Sequence, residues 1–395
     1  MLRTLARVFS IQSFSNAIIS DRPISAPLRA PGHPRSGSVT LRILKSFISS
    51  VVTPRFFAAP VFAAFAFALP FFGIQLGAAA EAADVNGAGA SFPYPIYSAW
   101  AYGYEQATGS KVNYQSIGSG GGIKQVTEGT VDFGASDDPM STEDLQKAGL
   151  IQFPAVLGGV VTVINLDGFA NNELVLNGQL LADIFQGKIL KWNDPAIAAL
   201  NSGKALPDAD INVVYRSDSS GTSAIFTNYL SAVSPGWKEA VGAGKSVNWP
   251  VGVGAKGNDG VAGSVKRVKN SIGYVEYAYA AENKITWAAL VNKAGKTVAP
   301  SIESFTAAAG NAKWDKGKAY FIWLVDAEGD ASWPIAAATF ILVKTADAQV
   351  LQNVTDFFEW CFQNGDPEAV RLQYVPLPAD LKDDVRGYWK EAGRK

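Results

Sequence analysis

The sequence predicts an α/β fold of two lobes, built from mixed and parallel sheets flanked by helices, with a hinge between the lobes. Three observations lead to that reading. From residue 83 onward, short β-branched apolar runs alternate with segments of helical period, as crossover-connected strands do. Several of the strand-to-helix turns are rich in glycine and hydroxyl residues. Two long apolar stretches, near 155–166 and 330–343, read as crossings between compact units. At 395 residues the chain is long enough for two units with cores of their own.

The first 82 residues stand apart. They carry eight Lys/Arg and only two acids, whereas the remainder holds 26 basic against 33 acidic residues. From Phe56 to Ala80 no charge occurs; Lys45 and Arg55 precede the run and "AAAEAAD" follows it. This is the layout of a secretory signal peptide, with cleavage expected after Ala80 or Ala82 and the product exported. The run is also long enough to span a bilayer, so an uncleaved anchor is the competing reading. No cysteine lies at the exit, which argues against a lipid anchor.

The body opens with three copies of one plan. "DVNGAGASFPYPIYSAW" is a short strand, a glycine loop and a helix that tolerates Pro93 and Pro95 in its first turn. "KVNYQSIGSGGGIKQV" repeats it, with a helix expected from about Gly121. "VDFGASDDPMSTEDLQKAG" is the third, with Ser141 to Asp144 as a capping-box variant. "FPAVLGGVVTVINL" then reads as a long strand crossing between lobes. The second unit contains "VVYRSDSSGTSAIF", where an apolar strand runs into a hydroxyl loop and a helix capped near Ser220 and Thr222. "ASWPIAAATFILV" supplies the return strand and "DAQVLQNVTDFFEWCF" an amphipathic helix. The expected division is 1–82 as extension and leader, 83–157 with 333–395 as lobe I, and 158–332 as lobe II.

Residue counts exclude several chemistries. Cys361 is the single cysteine and sits among aromatics, so neither a disulfide nor a thiolate cluster is available. The only histidine, His33, lies in the extension. The body therefore lacks Ser–His and Cys–His catalysis and the commonest metal ligand. An acidic body does not carry the electrostatic footprint of a nucleic-acid binder.

Four loops remain that suit an anion: "GAGASFP", "IGSGGGI", "GASDDP" and "RSDSSGTS". Each places small residues where backbone N–H groups point outward, and a helix N-terminus adds a positive dipole end. No GxxxxGK[ST] or GxSxG is present, and GxGxxG is not matched cleanly.

Taken together, "GAGASFPYPIY", "YQSIGSGGGIKQV", "VDFGASDDPMS", "GGVVTVINL", "IFQGKILKWNDPAI", "RSDSSGTS", "KGNDGVAGSV" and "GYVEYAYA" resemble the periplasmic phosphate-binding proteins of high-affinity phosphate ABC importers. The resemblance runs from about Val85 to Trp389. It implies a type II periplasmic-binding fold that holds inorganic phosphate between its lobes and delivers it to membrane permease subunits. The implied protein is a monomer, without cofactor or metal and not an enzyme. The implied phosphate contacts are Ser91, Phe92 through its backbone, Ser119, Asp137, Arg216, Ser220, Gly221 and Thr222. Ser91 replaces the family's usual threonine, keeping the hydroxyl, and Ser219 stands where glycine is common.

Physical chemistry supports that set independently. Hydroxyls and N–H groups donate without adding charge, and Arg216 offers a planar fork. Asp218 is expected to pair with Arg216 and pin it. Asp137 can only accept, so it demands an anion that still carries a proton, which phosphate does near neutral pH and sulfate does not. A phosphomonoesterase on the same scaffold is the rival, but backbone donors supply no general base.

Overall fold

The structure, a computed structural model, describes residues 84–310 and 312–395; the leader expected in residues 1–82 lies outside the described residues. Three strand–turn–helix units come first: β1 (Val85–Gly89) with α1 (Tyr94–Thr108), β2 (Val112–Ser116) with α2 (Ser119–Glu128), and β3 (Phe133–Ser136) with α3 (Thr142–Ala148). In α1, Pro93 is the N-cap and Pro95 follows in the first turn, where a missing N–H removes no intrahelical bond. α2 begins at Ser119, two residues before the expected Gly121. The turn before it passes through Gly118 at φ 88°, where a Cβ would stand 2.6 Å from Asp218 Oδ2 and 2.9 Å from the Ser219 carbonyl. Glycine there lets two loops distant in sequence touch. Ser141 caps α3, accepting from the Asp144 N–H at 3.1 Å and donating to its carboxylate at 2.8 Å. The expected box therefore closes side chain to side chain.

After β4 (Leu150–Asn165) follow β5 (Val175–Asn177), α4 (Gly178–Phe185), α5 (Pro195–Leu200), β6 (Asn212–Arg216), α6 (Gly221–Val233), α7 (Pro235–Ala240) and β7 (Val253–Ala255). Next come α8 (Gly257–Arg267), β8 (Ser271–Glu276), α9 (Tyr277–Asn283), β9 (Thr286–Trp287), β10 (Ala289–Val291), β11 (Thr297–Val298) and α10 (Ile302–Ala309). A short 3-10 turn then leads to β12 (Ala336–Lys344), α11 (Ala348–Asn364), α12 (Asp366–Arg371) and α13 (Ala379–Glu391).

One curled mixed sheet runs in the order β2-β1-β3-β12-β4-β8-β6-β7, with β9 on the side of β4. The two flanks, β2-β1-β3 and β8-β6-β7, are parallel, as short strands with crossover helices require. The centre is antiparallel and is made by the two apolar stretches. The 16-residue β4 is buried almost throughout; at ~3.3 Å per residue it spans roughly 50 Å. Its first part pairs with β12 and its second with β8, the change of partner falling between Gly159 and Val160.

Each flank packs its own aromatic cluster. Tyr97, Phe133, Phe153 and Trp389 gather around Phe358 and β4 on one side. Phe185, Phe226, Trp249 and Tyr274 form the other. Cys361 is buried on the inner face of α11, and burial pushes its thiol pKa well up, so it is a packing residue. Among the described residues no group of acids, histidines and cysteines could hold a metal, and no helix is long and apolar enough to cross a membrane.

Candidate functional site

All of the residues singled out from the sequence converge where the strand-to-helix turns of the two flanks face each other across the sheet. Ser91, Phe92, Ser119, Asp137, Arg216, Ser220 and Thr222 are all buried, none more than 3% exposed. Ser119 Oγ accepts from the Gly221 N–H at 3.0 Å and from the Asp137 N–H at 3.3 Å, so one hydroxyl joins three of the expected loops. Beside it, the Gly120 N–H donates to the Ser219 carbonyl at 3.0 Å. Ser219, where glycine was expected, thus uses its backbone for the contact.

The start of α6 is a concentration of donors. Ser220 is its N-cap and accepts from the Ser223 N–H at 3.0 Å; the Ser220 carbonyl takes the Ala224 N–H. With Gly221 on Ser119, that leaves the Thr222 N–H as the donor of the first turn with no protein partner. The Ser220 N–H is held by the Lys245 carbonyl, and the Lys245 ammonium pairs with Asp138 next to the site.

Arg216 arrives at the end of β6 with its backbone N–H on the Tyr274 hydroxyl at 3.1 Å. Its Nε and Nη2 fork onto Asp218 at 2.8 and 2.6 Å, which is the pairing expected from the sequence. Asp218 also takes the Gly257 N–H at 3.0 Å. Burial drives the Asp218 carboxyl up, but the guanidinium and that N–H outweigh it and hold its pKa below the ordinary value. The helix N-cap is Ser220, so Asp218 is free to act as the arginine's anchor. The remaining nitrogen, Nη1, is buried without a partner.

Asp137 is the electrostatic oddity. Both its carboxylate oxygens are buried without a hydrogen-bond partner. Burial pushes its pKa up to about 7, opposed in part by the Thr339 hydroxyl and the Arg216 charge. Thr339 on β12 lies near both Asp137 and the Tyr97 phenol, yet none of the three reaches a hydrogen bond of good geometry. A buried guanidinium nitrogen and a buried carboxylate, both left open and within electrostatic reach of each other, suit a ligand that is an anion and also a hydrogen-bond donor.

One participant lies outside the residues expected from the sequence. Asn258, in the first turn of α8, is fully buried and contacts Ser91 and Thr222 from opposite flanks. Its signal was present as the asparagine directly after the glycine of "KGNDG", at another strand-to-helix turn. Tyr279 and Tyr374 complete the surround: their hydroxyls donate to the carbonyls of Ser91 and Phe92 at 2.6 and 2.7 Å.

Comparison with known proteins places this architecture. The family model described as PBP superfamily domain matches residues 76–364. The chain is 56% identical over 312 residues to the phosphate-binding protein PstS of Pasteurella multocida, covering 78% of this chain and 91% of that protein. Against the phosphate-binding protein PstS of Haemophilus influenzae the identity is 54% over 313 residues, covering 79% and 94%. A solved structure of a high affinity periplasmic phosphate-binding protein bound with phosphate, PfluDING, superposes with a TM-score of 0.63 at 25% identity, covering 77% of this chain and 93% of that one.

Proposed function

The chain belongs to the PstS phosphate-binding family of the PBP superfamily, and from that premise we propose that it captures inorganic phosphate between two lobes and passes it to the permease subunits of an ABC importer. The observation that carries the reading is the open pair, Arg216 Nη1 and the Asp137 carboxylate, both buried without a partner and within electrostatic reach of each other. In this assignment Arg216, the Ser91, Ser119, Ser220 and Thr222 hydroxyls and the N–H groups of Phe92 and Thr222 donate to phosphate oxygens, and the Gly221 N–H exchanges Ser119 Oγ for the anion. Asp137 accepts the proton that phosphate still carries. Asp218 holds the arginine from behind.

Lobe I is assigned to 83–157 with 333–395, and lobe II to 158–332. The exchange of partners along β4 at Gly159/Val160, two residues on, supports a boundary in this part of the strand. Ligands come from both sides, with Ser91, Ser119 and Asp137 from one and Arg216 and Ser220 to Thr222 from the other. Phosphate therefore stabilises a closed arrangement by mass action. Calorimetry on the 83–395 body should give phosphate and arsenate binding with no sulfate binding at matched concentration. Small-angle scattering should show the mass of one chain and a smaller radius of gyration with phosphate. Equal dimensions with and without phosphate would remove the two-lobe closure, and absent phosphate binding would remove the function.

The acidic body and the uncharged run Phe56–Ala80 support export through a cleaved signal and a life apart from nucleic acid. N-terminal sequencing of the exported protein should begin between Glu81 and Asp84. A product that retains Phe56–Ala80 in the membrane would overturn it.

A further inference from the structure

We propose that Asn258 is a positioning residue that turns the Ser91 and Thr222 hydroxyls into donors to the bound anion. The inference rests on the phosphate reading above and adds a residue to which no ligand contact was assigned.

The orientation of the Asn258 amide is set by a group that has no choice. Its Oδ1 accepts from the backbone N–H of Glu276 at 3.0 Å, and a backbone N–H can only donate. Nδ2 must therefore face the other way, toward the hydroxyls. There it donates to Ser91 Oγ at 2.8 Å and to Thr222 Oγ1 at 3.1 Å. The Asn258 backbone N–H also donates to Ser91 Oγ, at 3.1 Å. A hydroxyl has one donor and two acceptor sites. Both acceptor sites of Ser91 are filled by Asn258, so its O–H is the only function left to it. Thr222 has one acceptor site filled, and turning its proton toward the amide would set two donors head to head. Among the described residues neither hydroxyl donates to a protein group.

The consequence is pre-organisation. A free hydroxyl rotor near an anion has orientations to lose, and a rotor already turned has few. Because Ser91 precedes α1 and Thr222 and Asn258 belong to α6 and α8, the Ser91 bonds form only when the two flanks meet. Closure and the setting of the donors are then one event. An acceptor-rich ligand is favoured, and one that must donate to these two positions is rejected.

The experiment is a cycle of phosphate titrations by calorimetry on the 83–395 body, using the parent, Asn258→Ala, the pair Ser91→Ala with Thr222→Val, and all three changes together. Asn258→Ala should weaken phosphate about tenfold in the parent and less than twofold where the hydroxyls are gone. Equal losses in the two backgrounds, no loss in the parent, or no loss on removing the hydroxyls would each overturn the proposal. If Asn258→Ala does not fold, Asn258→Asp replaces it, because its Oδ1 keeps the Glu276 contact. Its cost combines charge with reversed hydroxyls, so it should be at least fivefold smaller in the hydroxyl-free background, and an equal cost would overturn the proposal. Failure of the parent to bind phosphate would instead remove the underlying function, so the two failures are told apart.

Discussion

Gly221→Ala is expected to weaken phosphate binding ten- to a hundredfold while leaving the ligand-free protein at least as stable as the parent. Gly221 is the first residue of α6, and its φ is not in the left-handed region, so alanine is permitted by the backbone and favoured by helix propensity. The obstacle is across the cleft. A Cβ at this position would lie 2.4 Å from Ser119 Oγ, 2.5 Å from Asp137 Oδ2 and 2.7 Å from Asp137 Cβ. The Ser119 hydroxyl could rotate away, but only by giving up the N–H of Gly221. The Asp137 Cβ is fixed to the end of β3 and cannot yield without moving the strand. Over-packing of this kind costs about 1–3 kcal/mol, and it is felt only when the flanks close. Each 1.4 kcal/mol is tenfold in affinity, so the middle of that interval gives the stated range. Calorimetry and phosphate-free thermal melting check both halves. Parent-like affinity would mean that Gly221 does not meet Ser119 and Asp137 in the bound state.

How much of this was legible beforehand depends on whether local sequence or tertiary contact decides a residue's part. The three opening strand–turn–helix units were legible because each carries its own punctuation, such as Pro95 in the first turn of α1 and Ser141 at the cap of α3. The pairing of Arg216 with Asp218 was legible because the two are neighbours in sequence. The start of α2 was misjudged by two residues because Gly118, Gly120, Gly121 and Gly122 give no local preference. The contact with Asp218 and Ser219 picks the turn. The antiparallel centre of the sheet was not legible from alternation alone, which favours parallel strands. Its register is set by β12 returning beside β4 after well over a hundred residues. Asn258 was missed for a similar reason. Its partners Ser91 and Thr222 lie 167 and 36 residues away, and an asparagine after glycine looks like any helix start.

Asp137→Asn should raise the sulfate-to-phosphate affinity ratio by more than tenfold, equivalent to about 1.4 kcal/mol of lost discrimination. The amide keeps the shape and one acceptor oxygen, removes the negative charge and adds a donor. Phosphate loses an acceptor for its proton but also escapes repulsion, so its own affinity changes little. Sulfate gains on both counts, because the carboxylate it faces in the parent is unpartnered and repels it. The pH dependence supplies an internal control. Burial raises the Asp137 pKa to about 7, so as pH falls through that value the side chain becomes a neutral acid able to donate. Parent sulfate rejection should therefore relax between roughly pH 7.5 and pH 6, while the Asn variant stays flat over the same window. The raised pKa also acts on folding. Its stabilising contribution is complete below the ordinary aspartate range near pH 4 and is lost as pH rises through about 7. Without ligand, the variant should therefore gain stability over the parent across that interval. Titrations with both anions at several pH values, beside melts of the unliganded proteins, read each term. A variant that rejects sulfate as strongly as the parent at pH 7.5 would move the discrimination away from Asp137.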